Sequence, residues 1–166
     1  MLNLKTVSGR LRELFRGRAQ SAKTQSAEPG PRTLLVVDDE ESICFSMSEY
    51  FSQQGFKVDT AHEMEEVEGL IRQTEYKVLI QDLRLGIARR FDGIDIIKLV
   101  HTRNPDTRIV VLTSYGSPEA EAEARSAGAD AFLRKPKPLS QVAQVIQGLI
   151  ESPRSRAMEP ARHVSL

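Results

Sequence analysis

The chain has 166 residues, of which 40% are hydrophobic and 28% are charged, a composition typical of one α/β or α+β domain with tails. No apolar run reaches the roughly 18 to 20 residues that a membrane span needs, and the single cysteine, Cys44, excludes an intrachain disulfide or a multi-cysteine metal site. The net charge of zero divides into +5 on residues 1–32, −6 on residues 33–150 and +1 on residues 151–166, and the acidic body argues against nucleic-acid binding.

Five short apolar runs lie along the acidic body and are predicted to be β-strands. In chain order they are TLLVV (33–37), FKVDT (56–60), YKVLIQ (76–81), RIVVLT (108–113) and DAFL (130–133). Apolar residues at helical spacing follow each run and predict five helices, of which Gly55 ends the first and Pro118 begins the fourth. This (βα)5 alternation predicts an α/β three-layer sandwich with a parallel, flavodoxin-like sheet in the order 2-1-3-4-5.

The two ends of the chain differ in composition from the body, residues 33–150. Residues 1–18 place apolar side chains on one helical stripe and basic side chains elsewhere, which predicts a short basic amphipathic helix. Residues 19–32 are small, polar and Gly/Pro-containing, as in linkers, and residues 151–166 have the composition of a flexible tail. Three roles stay open for residues 1–18: docking on a partner or on the acidic body, contact with an anionic membrane surface, or an extension without a role.

Polar residues gather where the predicted strands end. Asp38 and Asp39 follow the first strand, Asp82 follows the third, Thr113 ends the fourth and Lys135 follows the fifth. The carboxyl ends of parallel strands share one edge of a sheet, where ligands bind. Three carboxylates at one edge need counter-charge, which Lys135 and a hard divalent cation such as Mg²⁺ would supply. A carboxylate can also accept a phosphoryl group.

Taken together, these motifs resemble the receiver domain of two-component response regulators, and the resemblance covers about residues 33–150. The residues that carry it are Asp38–Asp39, Asp82, Thr113 and Lys135–Pro136. The resemblance implies that Asp82 is the phosphoacceptor, that Thr113 hydrogen-bonds the phosphoryl group and that Lys135 pairs with it. It also implies a switch that catalyses its own phosphotransfer, and not an enzyme with a separate substrate.

The same resemblance implies a metal site and a conformational switch. The implied Mg²⁺ ligands are the side chains of Asp38, Asp39 and Asp82 and the backbone carbonyl of Arg84. Phe132 occupies the family's aromatic switch position. In the family, phosphorylation draws the equivalent of Thr113 inward and the aromatic ring follows, which reshapes the face formed by the fourth helix, the fifth strand and the fifth helix.

The loop LRLGIARRFDG (83–93) departs from the family's usual pattern. It is about three residues longer than is common, and Gly86 stands where a proline is frequent. Arg89 and Arg90 lie in this loop, either as contacts to phosphate or a partner or as solvated side chains.

Arg84 and Tyr115 lie two residues after Asp82 and Thr113, at positions that tune the hydrolysis of the phosphoryl group in the family. Bulky side chains at these positions would shield an acyl phosphate from water. We therefore expect slow self-dephosphorylation.

Several other residues have structural interpretations. Cys44 is expected to pack as a small apolar residue in the first helix, and Glu40 and Glu41 are expected in the first turn of that helix, where acids are stabilised. The three histidines show no metal-ligand spacing and are predicted at the surface or at helix ends: His62, His101 and His163.

The sequence thus predicts a cytoplasmic, stand-alone receiver domain phosphorylated by a sensor histidine kinase or phosphotransfer protein. Its output would be a protein target or onward phosphorelay, without nucleic acid, because residues 151–166 are too few for a helix-turn-helix unit. The oligomeric state and peripheral membrane contact by residues 1–18 stay open. Two other classes also stay open: a phosphorylation-independent, receiver-like scaffold, and an aspartate-nucleophile phosphatase of haloacid dehalogenase type. Phosphatases of that type have a DxD pattern after the first strand, and this chain has Asp38–Asp39 at the same place.

Overall fold

Five parallel strands form a single sheet in the computed structural model, which describes residues 30–85 and 92–152. The strand order β2-β1-β3-β4-β5 confirms the predicted topology. In chain order the elements are β1 (Thr33–Val37), α1 (Glu41–Gln53), β2 (Lys57–Ala61), α2 (Met64–Gln73), β3 (Val78–Gln81), α3 (Asp92–Arg103), β4 (Arg108–Thr113), α4 (Pro118–Ala127), β5 (Ala131–Arg134) and α5 (Leu139–Glu151).

The sheet is buried on both faces because successive side chains of each strand point to opposite sides. Leu35 and Leu79 pair in register and belong to a core that α2, α3 and α4 complete. Leu34 and Val78 pair one residue earlier and belong to the core that α1 and α5 complete. The continuous apolar run of β1 is therefore explained by burial of all five residues, Thr33–Val37.

The second, third and fifth strands begin one or two residues later than predicted. The N–H of Phe56 donates to the carbonyl of Phe51 (3.1 Å) and closes the turn after α1. The carbonyl of Tyr76 accepts the hydroxyl of Thr107 (2.8 Å). Asp130 exchanges two hydrogen bonds with Ile109 of β4: its carboxylate accepts the N–H of Ile109 (2.8 Å), and its own N–H donates to the carbonyl of Ile109 (2.8 Å). These bonds hold the chain where it enters the three strands.

Several sequence predictions lie outside the described residues. They concern the amphipathic helix at 1–18, most of the linker at 19–32, the loop arginines Arg89 and Arg90, and the tail beyond Ser152. Among the residues that are described, no helix combines the length and apolar character needed to cross a bilayer.

Candidate functional site

Three carboxylates converge where β1 and β3 end. One side-chain oxygen from each of Asp38, Asp39 and Asp82 lies within 4.8 Å of the others. The backbone of β3 holds this arrangement, because the N–H of Asp82 donates to the carbonyl of Val37 (2.9 Å). Asp38 and Asp82 are buried, whereas Asp39 is exposed at the surface. The predicted acidic cluster is therefore present at the expected edge of the sheet.

Lys135 bridges two of these carboxylates. Its Nζ lies 2.5 Å from Oδ2 of Asp38 and 3.0 Å from Oδ2 of Asp82. The backbone positions this side chain, since the N–H of Lys135 donates to the carbonyl of Thr113 (2.9 Å). The peptide bond between Lys135 and Pro136 is cis. The three paired side chains are only 11%, 3% and 9% exposed, so water screens the bridge little.

Burial and hydrogen bonding set the pKa values of two groups in the bridge, Asp38 and Lys135. Burial raises the pKa of Asp38, since desolvation of its carboxylate outweighs the stabilisation that it receives from Lys135. Burial also disfavours the ammonium of Lys135, but its hydrogen bonds to Asp38 and Asp82 outweigh that effect and raise the pKa of Lys135. The lysine therefore remains cationic and cannot alone neutralise three carboxylates.

The donor set fits a hard divalent cation. One oxygen from each of the three carboxylates lies within 4.8 Å of the others, close enough to share one ion. Oδ1 of Asp38 accepts the N–H of Glu40 (3.0 Å) and Oδ1 of Asp82 accepts the N–H of Arg84 (3.2 Å), which orients both groups. All three side chains of the cluster would bind a metal through oxygen atoms, which are the ligands that Mg²⁺ prefers. Mg²⁺ also takes few protein ligands and keeps several water molecules.

Thr113, Tyr115 and Arg84 form the other side of the site. The hydroxyl of Thr113, which is fully buried, accepts the N–H of Tyr115 (3.1 Å). The Tyr115 ring is half exposed, and the guanidinium carbon of Arg84 lies 4.1 Å from its centre. A cation stacked on an aromatic face at this distance is attracted to it. The two predicted tuning residues are therefore in direct contact.

Phe132 lies in β5, partly buried against the core that α2, α3 and α4 share. It pairs in register with Val111 of β4, two residues before Thr113. The neighbouring α4 begins with Pro118 after the N-cap Ser117, whose hydroxyl accepts the N–H of Ala120 (3.1 Å). The predicted switch residues thus lie on adjacent strands beneath α4.

Sequence reasoning missed the donors that hold the backbone of Asp38. The Nδ1 of His62 lies 2.9 Å from the carbonyl of Asp38, so this nitrogen carries the proton and donates. The thiol of Cys44 donates to the same carbonyl (3.4 Å), and burial raises the pKa of Cys44 to about 11. His62 directly follows β2 at the same edge of the sheet, and this position could have marked it.

One structural interpretation from the sequence, that of Glu40, was incomplete. Cys44 is buried in the core as expected, and Glu41 lies in the first turn of α1. Glu40, however, is the N-cap residue and its side chain makes no capping hydrogen bond, while its N–H donates to Oδ1 of Asp38. Of the four consecutive acidic residues 38–41, the two aspartates thus belong to the carboxylate cluster and the two glutamates begin α1.

The fold and the site together define a receiver-type α/β domain. A response regulator from Burkholderia pseudomallei, solved with a phosphorylated aspartic acid, a calcium ion and citrate, is similar with a TM-score of 0.66 and 28% identity, over 72% of this chain and 68% of that one. The beryllofluoride-activated NtrC4 receiver domain dimer is similar with a TM-score of 0.66 and 32% identity, over 72% and 97% of the two chains.

The family model for the response regulator receiver domain matches residues 34–147, and the chain belongs to this family. It is 31% identical over 121 residues to the photosynthetic apparatus regulatory protein RegA of Cereibacter sphaeroides, covering 73% of this chain and 64% of the relative. It is also 31% identical over 137 residues to the acid tolerance regulatory protein ActR of Sinorhizobium medicae, covering 82% and 68%. Less than two thirds of the length of RegA is thus represented.

Proposed function

We propose that this domain is a Mg²⁺-dependent phosphorylation switch in which Asp82 accepts a phosphoryl group from a sensor histidine kinase or a phosphotransfer protein. The observation that carries the proposal is the Lys135 bridge between Asp38 and Asp82, with Asp39 beside it. A buried cation between two carboxylates keeps one of them available as a nucleophile while countering the charge of an incoming phosphate.

In the proposed transfer, a carboxylate oxygen of Asp82 bonds to phosphorus while the bond from phosphorus to the donor's imidazole nitrogen breaks. The bonding pair stays on that nitrogen, which takes a proton from water, and an acyl phosphate is formed on Asp82. The N–H of Arg84 orients the Asp82 carboxylate through Oδ1. Lys135 pairs with the phosphoryl oxygens, and the Thr113 hydroxyl donates to one of them.

The residues that would hold Mg²⁺ are the three clustered aspartates and the backbone carbonyl of Arg84. When bound, the ion neutralises charge on the phosphoryl oxygens. The buried Asp38 and the exposed Asp39 supply the oxygen donors that do not take part in covalent chemistry. Because Lys135 contacts Asp38 as well as Asp82, the metal side and the nucleophile side of the site share one counter-ion.

The output of the switch would be the face of α4, β5 and α5. Thr113 now accepts the N–H of Tyr115, so a hydroxyl that turned to the phosphoryl group would change the loop between β4 and α4. Phe132, on the neighbouring strand β5, would then move into the space that the Thr113 side chain leaves. This face would then bind a protein target or support onward phosphorelay.

Intact mass spectrometry after incubation with acetyl phosphate tests the proposal. We expect a gain of one phosphoryl group in the wild type with MgCl2 and no gain without the metal or in Asp82→Asn. Asp106→Asn is the matched control, since Asp106 is an exposed aspartate before β4, at the opposite edge of the sheet, and it should be phosphorylated normally. If the wild type gains no mass from acetyl phosphate or from a phosphorylated transfer protein, the proposal is wrong and a phosphorylation-independent scaffold is favoured.

A further inference from the structure

Gln81 is a buried polar residue in an otherwise apolar strand. It follows Val78, Leu79 and Ile80 in β3, and none of its surface is exposed to solvent. In register it lies between Val37 of β1 and Val111 of β4. Its side chain points to the same face as that of Leu79, two residues earlier, toward the core that α3 completes. An apolar side chain would fill this buried position without needing a hydrogen-bond partner.

The amide of Gln81 is only half used in hydrogen bonding. Its Nε2 donates to the backbone carbonyl of Asp82, at 2.6 Å. Its Oε1 is buried and has no hydrogen-bond partner within the described part of the chain. An unpaired buried amide oxygen destabilises a fold, so packing does not explain the presence of glutamine here. The contact that it does make is to the candidate phosphoacceptor.

The first turn of α3 also lies close to the Asp82 carbonyl. A Cβ built on Gly93 would lie 2.6 Å from the carbonyl oxygen of Asp82 and 2.6 Å from the Cα of Leu83. Only glycine permits the helix to approach the backbone so closely. The peptide that follows Asp82 is thus bonded by the Gln81 amide and lies close to the backbone of α3 at Gly93.

We infer that Gln81 is a positioning residue for phosphoryl transfer. By holding the Asp82 carbonyl, it sets the orientation of the peptide between Asp82 and Leu83, and with it the turn that ends at Arg84. This turn carries the N–H of Arg84 to Oδ1 of Asp82 (3.2 Å), and it also places the Arg84 carbonyl. One buried amide therefore aligns both the nucleophile and a proposed metal ligand. The inference rests on the proposed function of Asp82.

The test compares Gln81→Met, which has nearly the same length and shape but no amide, with Leu79→Val. Leu79 lies on the same face of the same strand and is equally buried, so Leu79→Val disturbs packing without touching the Asp82 carbonyl. Three quantities are measured: the phosphorylation rate with acetyl phosphate at saturating Mg²⁺, the Kd for Mg²⁺ by calorimetry, and the Tm.

We expect Gln81→Met to lower the phosphorylation rate about tenfold and to weaken Mg²⁺ binding several-fold, as for other residues that orient metal ligands. Its Tm should stay close to that of the wild type, because a lost hydrogen bond is offset by removal of the unpaired oxygen. Leu79→Val should lower the Tm at least as much as Gln81→Met does. It should leave the phosphorylation rate and the Kd for Mg²⁺ close to those of the wild type.

The outcomes separate the inference from the proposed function. If the wild type is phosphorylated and Gln81→Met behaves like Leu79→Val, the positioning role is overturned. A loss of rate that follows the loss of Tm in both variants also overturns it. If the wild type binds Mg²⁺ but takes no phosphoryl group, the proposed function fails and the positioning role for phosphoryl transfer fails with it. If the wild type does neither, both are wrong.

Discussion

Arg84 stacks on Tyr115, with the guanidinium carbon 4.1 Å from the centre of the ring. The backbone of each residue is tied to a residue of the site: the N–H of Arg84 donates to Asp82 (3.2 Å) and the N–H of Tyr115 donates to Thr113 (3.1 Å). The stack therefore joins the loop after β3 to the loop after β4. It bridges the strand ends that hold the proposed phosphoacceptor and the proposed switch threonine.

This bridge predicts that Arg84 and Tyr115 act together on the lifetime of the acyl phosphate. We expect Tyr115→Ala and Arg84→Ala each to speed hydrolysis about 2- to 5-fold, as loss of an exposed cation–π contact of about 0.5–1 kcal/mol would. The double variant should hydrolyse no faster than about the faster single variant, because either change breaks the same contact. The decay of the phosphorylated mass with time measures this.

Tyr115→Phe is the matched control, since it keeps the ring that Arg84 contacts. It should retain the slow hydrolysis of the wild type. Fully multiplicative effects in the double variant would show that the two side chains act separately. A wild-type half-life of seconds would contradict the shielding itself.

Most of the fold was predictable because buried parallel strands have a simple signature. The β1 run is apolar throughout because both of its faces are covered, and the strand order followed once five strands alternated with five helices. The strand entries were less predictable. Whether Tyr76 joins the ladder depends on the hydroxyl of Thr107, 31 residues away, and periodicity within a segment contains no information on such a bond.

The site, like the fold, has features that the sequence predicts and features that depend on contacts between distant residues. The strand-end rule correctly placed Asp38, Asp82 and Lys135 together, because it depends only on where strands end. It did not identify Gln81, because a single polar residue in an apolar strand has no spacing pattern. The stack between Arg84 and Tyr115 required the geometry of two loops that are distant in sequence.

Removal of the bridging ammonium should destabilise the metal-free protein in a pH-dependent way. Lys135→Met leaves Asp38 and Asp82 buried without their counter-ion, which we expect to cost roughly 2–4 kcal/mol of the free energy of unfolding at about pH 8. The pKa of Lys135 is raised in the folded wild type, so its stabilising contribution is fully present at neutral pH. As the pH falls through the raised pKa of Asp38, this carboxylate takes up a proton in the variant, and the deficit should shrink.

Urea unfolding of Lys135→Met and wild type between about pH 5 and pH 8 measures this dependence. Lys137→Met, two residues along the chain, is the control and should change stability by less than about 0.5 kcal/mol. A deficit that is equal at both ends of the pH range would show that Lys135 stabilises the fold by packing alone.

Mg²⁺ should stabilise the protein less as the pH falls. The ion needs ionised carboxylates, and the pKa of Asp38 is raised by burial, so protons compete with the metal above the usual carboxyl range. The rise in Tm caused by millimolar MgCl2 should be full at about pH 8 and should decline as the pH falls through the raised pKa. Asp38→Asn should abolish most of the rise, whereas Asp106→Asn should leave it unchanged. A rise in Tm that Asp38→Asn retains in full would exclude Asp38 as a ligand.

Two glycines should respond to alanine with opposite signs. Gly128 ends α4 with a φ of 121°, and an added Cβ would lie 2.6 Å from Cγ of His101, so Gly128→Ala should destabilise the fold by about 1–3 kcal/mol. Gly148 lies within α5, and no atom lies within 4 Å of an added Cβ, so Gly148→Ala should stabilise the fold by about 0.5–1 kcal/mol. Urea unfolding of both variants provides the comparison. Stabilisation by Gly128→Ala would show that the packing of α3 against α4 at His101 differs from that described.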